Sequence, residues 1–308
     1  MRALSACAAG RLLQHGAAGK GQAGVGQAQR GDVPAHQAGV GCEFDAQAVF
    51  GLAGVVINRL GGQPFQPRGI TQPDARDWTS LPFDGMDYTL GLQQGVKDLR
   101  IAYSPNLGYA KNVHPDIAVA TAQAAQYLQD LGAHVEQVDP GIEDPLDITT
   151  GLWFAGAYQV WRTLSKEQQA LTDPDFAAQA AIGETLDANA LHQLNQRRGL
   201  LGSHLRQFMQ RFDLILTPST AVPAFKALPA GHSAMNSEAM LGWTPFSYPF
   251  NLSQQPAISL PCGLTADGLP MGVQLVGPMF GDALVLRAAK ALEDCYPLLR
   301  PDLDQVNS

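Results

Sequence analysis

Pro249-Phe250-Asn251-Leu252-Ser253-Gln254-Gln255-Pro256-Ala257-Ile258-Ser259-Leu260-Pro261-Cys262-Gly263, followed after Leu264-Thr265-Ala266 by Asp267-Gly268-Leu269-Pro270-Met271-Gly272-Val273-Gln274-Leu275-Val276-Gly277-Pro278, is the stretch that decides the fold class. Residues 257–260 and 271–276 are largely apolar and bounded by Pro and Gly, the punctuation of short buried strands. Ala266-Asp267-Gly268 between them reads as a hairpin-type turn. Strands that are apolar on both faces need a layer on each side, which predicts a sheet covered by helices. The prolines block ladder hydrogen bonds at the strand ends, and Gly263, Gly268 and Gly272 permit turns or close backbone approach. These residues are therefore read as architectural.

Upstream the same alternation continues. Residues 99–103 form a short strand, Pro115 opens a helix with Ile117, Ala120, Ala124, Leu128 and Leu131 at helical spacing, and Gly132 ends it. Residues 134–138 supply the next strand, so the segment is a β-α-β unit, which packs its helix on a mostly parallel sheet. A helical block follows: residues 151–164, a helix capped by Asp173 with Pro174 at its first position, and a long helix. In the long one, Leu191, Leu194, Leu201, Leu205, Phe208 and Phe212 mark an apolar face. That face is read as a core stripe rather than a dimer seam, because Arg198 interrupts a short heptad run. Residues 214–217 return as a strand, and Asp282 is expected to cap a last helix with Val285, Ala288, Ala289 and Leu292 inward. The predicted class is α/β, a mixed, mostly parallel sheet covered by helices.

The opening stretch, with Pro73-Asp74-Ala75-Arg76-Asp77-Trp78, Leu99-Arg100-Ile101-Ala102-Tyr103-Ser104-Pro105 and Phe212-Asp213-Leu214-Ile215-Leu216-Thr217-Pro218 in that order, resembles the amidase signature family of amide hydrolases. The resemblance runs over about residues 71–294. It implies hydrolysis of carbon–nitrogen amide bonds, with a small-molecule amide as the partner. It also implies that the loop carrying Trp243, Thr244 and Phe246 forms part of the acyl-group pocket, so these three are the expected substrate-binding residues. The tRNA-dependent amidotransferase branch carries an acidic residue about where Thr244 stands, so the chain resembles a general amidase better.

The family's chemistry implies a serine nucleophile, a second serine in a cis peptide and a lysine base, on a Gly/Ser-rich segment upstream of the stretch matched by residues 73–78. Here the first 70 residues hold one serine, Ser5, and no two serines are adjacent anywhere in the chain. No catalytic residue is therefore assigned, and the chain is expected to be an N-terminally truncated amidase. The alternative is a non-catalytic remnant or small-molecule- or partner-binding protein on the same scaffold. Gly95-Val96-Lys97-Asp98 resembles the catalytic-lysine string but directly precedes the 99–103 strand, and Lys97 is read as an exposed loop lysine. Ser104, Ser219 and Ser259 fall where the resemblance marks nothing catalytic. Cys262, among apolar neighbours at a strand end, is read as a buried structural thiol.

Composition breaks near residue 70. The first 70 residues hold 14 of the 32 glycines and three of the 23 aromatics, and carry a charge of +3 against −11 for the remainder. So little apolar surface cannot offset the entropy of ordering, which predicts a disordered leader, from a frameshift, a misplaced start or a fusion, before an amidase-like domain at 71–308. Residues 46–60 are apolar enough for a short helix or strand. Gly19, Gly21 and Gly24 match a dinucleotide-loop spacing with no strand before them, and Cys7 has no apolar signal region ahead of it, so neither is functional.

A net charge of −8 gives no footprint for nucleic acid or an acidic membrane, and no apolar run reaches eighteen residues. The four cysteines form no close pair, which fits a reducing, cytoplasmic setting without a zinc or disulfide framework. Neither H-E-x-x-H nor G-x-S-x-G nor a phosphate-binding loop occurs, so no metal or cofactor is expected. A sheet deprived of its N-terminal strands leaves apolar surface and strand edges uncovered, which predicts self-association.

Overall fold

A computed structural model describes residues 81–82, 85–225 and 243–296. The expectations for the 1–70 leader, its glycine motif, residues 46–60 and residues 73–78 lie outside the described residues.

Strand β1 is Arg100–Tyr103, followed by helix α1 Pro115–Asp130 and β2 His134–Gln137. The Nδ1 atom of His114 accepts from the Asp116 N–H, Pro115 fixes the first turn, and Gly132 takes φ +92° just past the end. Leu131, expected inward, sits at the C-cap and is 39% exposed, because the helix ends one residue before it.

The helical block comprises α2 Leu146–Trp161, α3 Lys166–Gln169, α4 Pro174–Glu184 and α5 Ala188–Phe208. Asp173 caps α4 through the Asp175 N–H at 2.8 Å, and Asp187 caps α5 through Ala190 at 2.7 Å. Helix α2 begins five residues earlier than expected. Pro145 precedes it, and the Asp144 carboxylate accepts from the Leu146 N–H at 3.0 Å. The remaining elements are β3 Leu214–Pro218, α6 Tyr248–Ser253, β4 Ala257–Leu264, β5 Pro270–Val276 and α7 Asp282–Glu293. Asp282 is not the cap of α7: Gly281 holds that position, and Asp282 sits in the first turn, where its charge meets the positive end of the helix.

Among the described residues the sheet order is β2-β1-β3-β5-β4. β2, β1 and β3 are mutually parallel, and β5 runs against both β3 and β4. Four strands thus share one direction, as the mixed, mostly parallel reading expects. The turn between β4 and β5 closes through Thr265, whose N–H reaches the Leu269 carbonyl at 2.8 Å, with Gly268 at φ +81°. α1 and α7 cover one face, over Leu214, Leu216, Ile258, Val273 and Leu275. On the other, Phe208, Phe212, Phe246 and Phe250 pack on Ala102, Ile215 and Val276. β5 is buried from Met271 through Val276, so within the described residues both of its faces have their layer. No helix among them is long and apolar enough to cross a membrane.

Candidate acyl-pocket site

Because β1 and β3 are parallel, their carboxyl ends open at the same end of the sheet, the place where α/β sheets bind ligands. Ser104 follows β1 there, and residues 219–225 follow β3. The chain returns to this end at residues 243–247, ahead of α6. Backbone bonds tie the two segments together: the Ala221 N–H donates to the Trp243 carbonyl at 3.0 Å, and the His114 N–H donates to Ala221 at 2.8 Å. The Tyr109 hydroxyl donates to the Pro245 carbonyl at 2.5 Å, and the Tyr248 hydroxyl to Asp144 at 2.6 Å. Burial, reinforced by the Asp144 charge, raises both phenols far above their ordinary range, so they stay neutral donors.

The three expected pocket residues meet at this corner at different depths. Trp243 is half-buried, with its ring edge-on to Phe225 at 5.8 Å between centroids and 74° between planes. Thr244 is 1% exposed, and Phe246 is fully enclosed in the core. The Phe246 carbonyl accepts from Gln274 Nε2 at 2.8 Å, and the same amide reaches Thr217 Oγ1 at 3.1 Å.

Below them lies a feature that motif reading did not find. Ser219 and Ser259, forty residues apart, place their hydroxyls 2.7 Å from each other. β5 runs between β3 and β4, and Gly272 leaves the space: a Cβ there would lie 3.0 Å from Ser219 Oγ and 3.2 Å from Ser259 Oγ. Period-two counting along β4 and β5 puts Ser259 and Gln274 on one face, so the signal was present; the pairing of β3 with β5 was not.

Other candidates resolve as structural. Ser104 Oγ donates to Asp139 at 2.6 Å and accepts from the Leu107 N–H at 3.0 Å. Nearby, His204 Nε2 meets the Pro140 carbonyl at 2.6 Å, so Ser104, Asp139 and His204 share a corner without forming a nucleophile–base relay. Lys97 is exposed at the amino end of β1, opposite the 219–225 loop. Cys262 is 8% exposed and burial pushes its thiol up to about 12, which leaves it unreactive. A groove of about 520 Å³ lined by Arg100, Gln129, His134, Glu136, Arg211 and Phe212 also lies at that amino end. Its Arg100 is already engaged by Asp213 at 3.3 Å.

The arrangement thus offers a braced wall and a polar floor whose hydroxyls and amide bond one another.

Comparison with known proteins bears on the family and the fold. The amidase family model matches residues 66–286. An acylamidase from Rhodococcus erythropolis is 30% identical, covering 73% of this chain and 48% of its own. An amidase from Pseudomonas putida is 27% identical over 76% and 48%. One glutamyl-tRNA(Gln) amidotransferase subunit, from Synechococcus sp. (strain CC9902), is 29% identical over 75% and 51%. Among solved structures, a bacterial aryl acylamidase of the amidase signature enzymes superposes with a TM-score of 0.64 at 28% identity, covering 73% of this chain and 49% of that one. A 6-aminohexanoate cyclic dimer hydrolase gives 0.66 at 22% identity over 75% and 52%, a likeness of fold. The chain spans about half the length of these relatives. With the family model matched across the sheet, the flanking helices and the residues before α6, the chain belongs to the amidase family.

Proposed function

We propose that this chain forms the acyl-pocket part of an amidase that hydrolyses carbon–nitrogen bonds in small amides, and that the serine pair and lysine of the family's bond-breaking step are not among its residues. The observation that carries this is chemical: a chain of the amidase family contains no two adjacent serines. An unactivated hydroxyl is a weak nucleophile, and the hydroxyl of Ser219 is paired with that of Ser259 rather than with a base. Similarity to the Rhodococcus acylamidase and to the aryl acylamidase supports a general amidase, as does Thr244 standing where the amidotransferase branch carries an acidic residue. Free thiols at Cys262 and Cys295 suit a reducing cytoplasm.

The purified chain is expected to hydrolyse aliphatic and aromatic amides no faster than buffer and to resist labelling by a serine-reactive fluorophosphonate. Stoichiometric labelling of any serine overturns the reading. A non-catalytic binding protein is the second reading, favoured by two internal polar pairs, Ser219 with Ser259 and Gln274 with Thr217. Adding a polypeptide with an amidase serine–lysine segment separates the two, since restored turnover supports the first and its absence the second.

A further inference from the structure

We infer that the groove at the amino end of the sheet is a second binding site, for a small zwitterion whose ammonium and carboxylate stand at the two ends of a short aliphatic chain. It lies at the opposite end of β1 and β3 from the acyl pocket and does not rest on that reading. At about 520 Å³ it has the size of a small-molecule site. Four charged or chargeable groups line it, Arg100, His134, Glu136 and Arg211. Two of them are answered from within the chain. Asp213 accepts two bonds from the Arg100 guanidinium, at 3.4 and 3.3 Å, and an Asp98 oxygen lies 4.0 Å from His134 Nε2.

The other two are left over, one of each sign. The Arg211 guanidinium lies over the Phe208 and Phe212 rings, 5.7 and 5.1 Å from their centroids, and no carboxylate among the described residues pairs with it. The rings hold the exposed head in place, which prepares its planar fork for a carboxylate. Glu136 is exposed too, and no cation among the described residues pairs with it. Its register partner on β1 is Ala102, which packs with Phe208 and Phe212, so Glu136 stands on the face of the sheet that carries those rings. β1 lies between β2 and β3, so about 10 Å of sheet separates the strand of Glu136 from the one that Arg211 precedes. The two side chains form no ion pair across that gap, and a ligand charged at each end closes it. A lone anion satisfies Arg211 but is repelled by Glu136, and a lone cation meets the reverse. Phe212, which also lines the groove, gives the methylenes between the two charges an apolar contact.

The test is a titration of the isotope-labelled full chain with 4-aminobutyrate, butyrate and propylamine, followed through backbone amide shifts by NMR. 4-Aminobutyrate is expected to move the signals of His134, Glu136 and Arg211, to leave those of residues 219–225 and 243–247 in place, and to bind about tenfold more tightly than either singly charged control. Glu136→Gln is expected to bring its affinity down to that of butyrate, and Arg211→Gln down to that of propylamine; thermal melts confirm that each variant is folded. No saturable shift at the groove, butyrate or propylamine binding as tightly as 4-aminobutyrate, or an unchanged affinity in either variant overturns the site. Shifts confined to residues 219–225 and 243–247 would put the ligand in the acyl pocket and overturn it equally. Hydrolysis enters none of these readouts, so an amide turned over or a serine labelled would overturn the missing-nucleophile reading while the zwitterion site stands.

Discussion

Gln274 is 8% exposed, and its side-chain amide carries two internal bonds, to the Phe246 carbonyl and to Thr217. Gln274→Leu preserves apolar bulk but leaves the Phe246 carbonyl enclosed without its donor, at a cost of about 2 kcal/mol. A denaturant midpoint unchanged from the parent protein would show that the amide contributes nothing. Asp213 has a different dependence. Burial alone would raise its carboxyl, but bonds from the Arg100 N–H at 2.8 Å and from the guanidinium hold it below the ordinary range. A carboxyl lowered on folding contributes stability that is present above the unfolded value near pH 4 and lost as pH falls through the folded one. Asp213→Asn is therefore expected to destabilise the protein at pH 7, with the difference shrinking steadily below about pH 4. Thermal melts across that range decide it, and a gap independent of pH refutes the pairing as its cause.

At the scale of elements, α2 and α4 approach so closely that a Cβ on Gly183 would lie 1.9 Å from the Phe154 carbonyl oxygen. The obstruction is backbone, which cannot rotate away, so Gly183→Ala must part the helices and is expected to cost about 3 kcal/mol. Unaltered helicity and melting in that variant would contradict the contact. α4 also encloses Asp175, 5% exposed, whose carboxylate oxygens have no hydrogen-bond partner. Its place in the first turn offsets part of that cost through the helix dipole. Asp175→Asn removes the buried charge and is expected to raise the melting temperature by a few degrees. Helices with a local stop or start were legible in the sequence: Pro115 and Gly132 bound α1, and Asp173 opens α4. The start of α2 was not, because it depends on Asp144 turning back on Leu146 behind Pro145. The 243–247 segment was legible through family resemblance, yet the depth of Phe246 was not, since it is enclosed by a cluster that gathers Phe208, Ile215 and Phe250 from separate elements. Likewise the Ser219–Ser259 contact exists only because β5 lies between two strands distant in sequence.

For the whole molecule, the distribution of apolar contacts sets the order of opening. Both sheet faces are closed by large clusters, and the carboxyl end of α5 belongs to one of them, whereas α2 joins α5 and α6 through a small one, in which Ile148, Leu152 and Leu252 are buried and Leu194 and Leu201 half-buried. α5 buries only Leu205 and Phe208 among its own residues, at its carboxyl end, so its first half adds little anchorage. Local stability follows the apolar contact that an opening must break. Amides of α2 and α4 are therefore expected to exchange with deuterium faster than those of β3 and β5, although all four are regular structure. Leu152→Ala, which removes a side chain 4% exposed, would ordinarily cost about 2–5 kcal/mol. If the block opens as a separate unit, the substitution accelerates exchange in α2 and α4 and leaves β3 and β5 near their parent rates. Equal acceleration in strands and helices would mean that the block and the sheet unfold together, and that the small cluster is as strong a joint as the large ones.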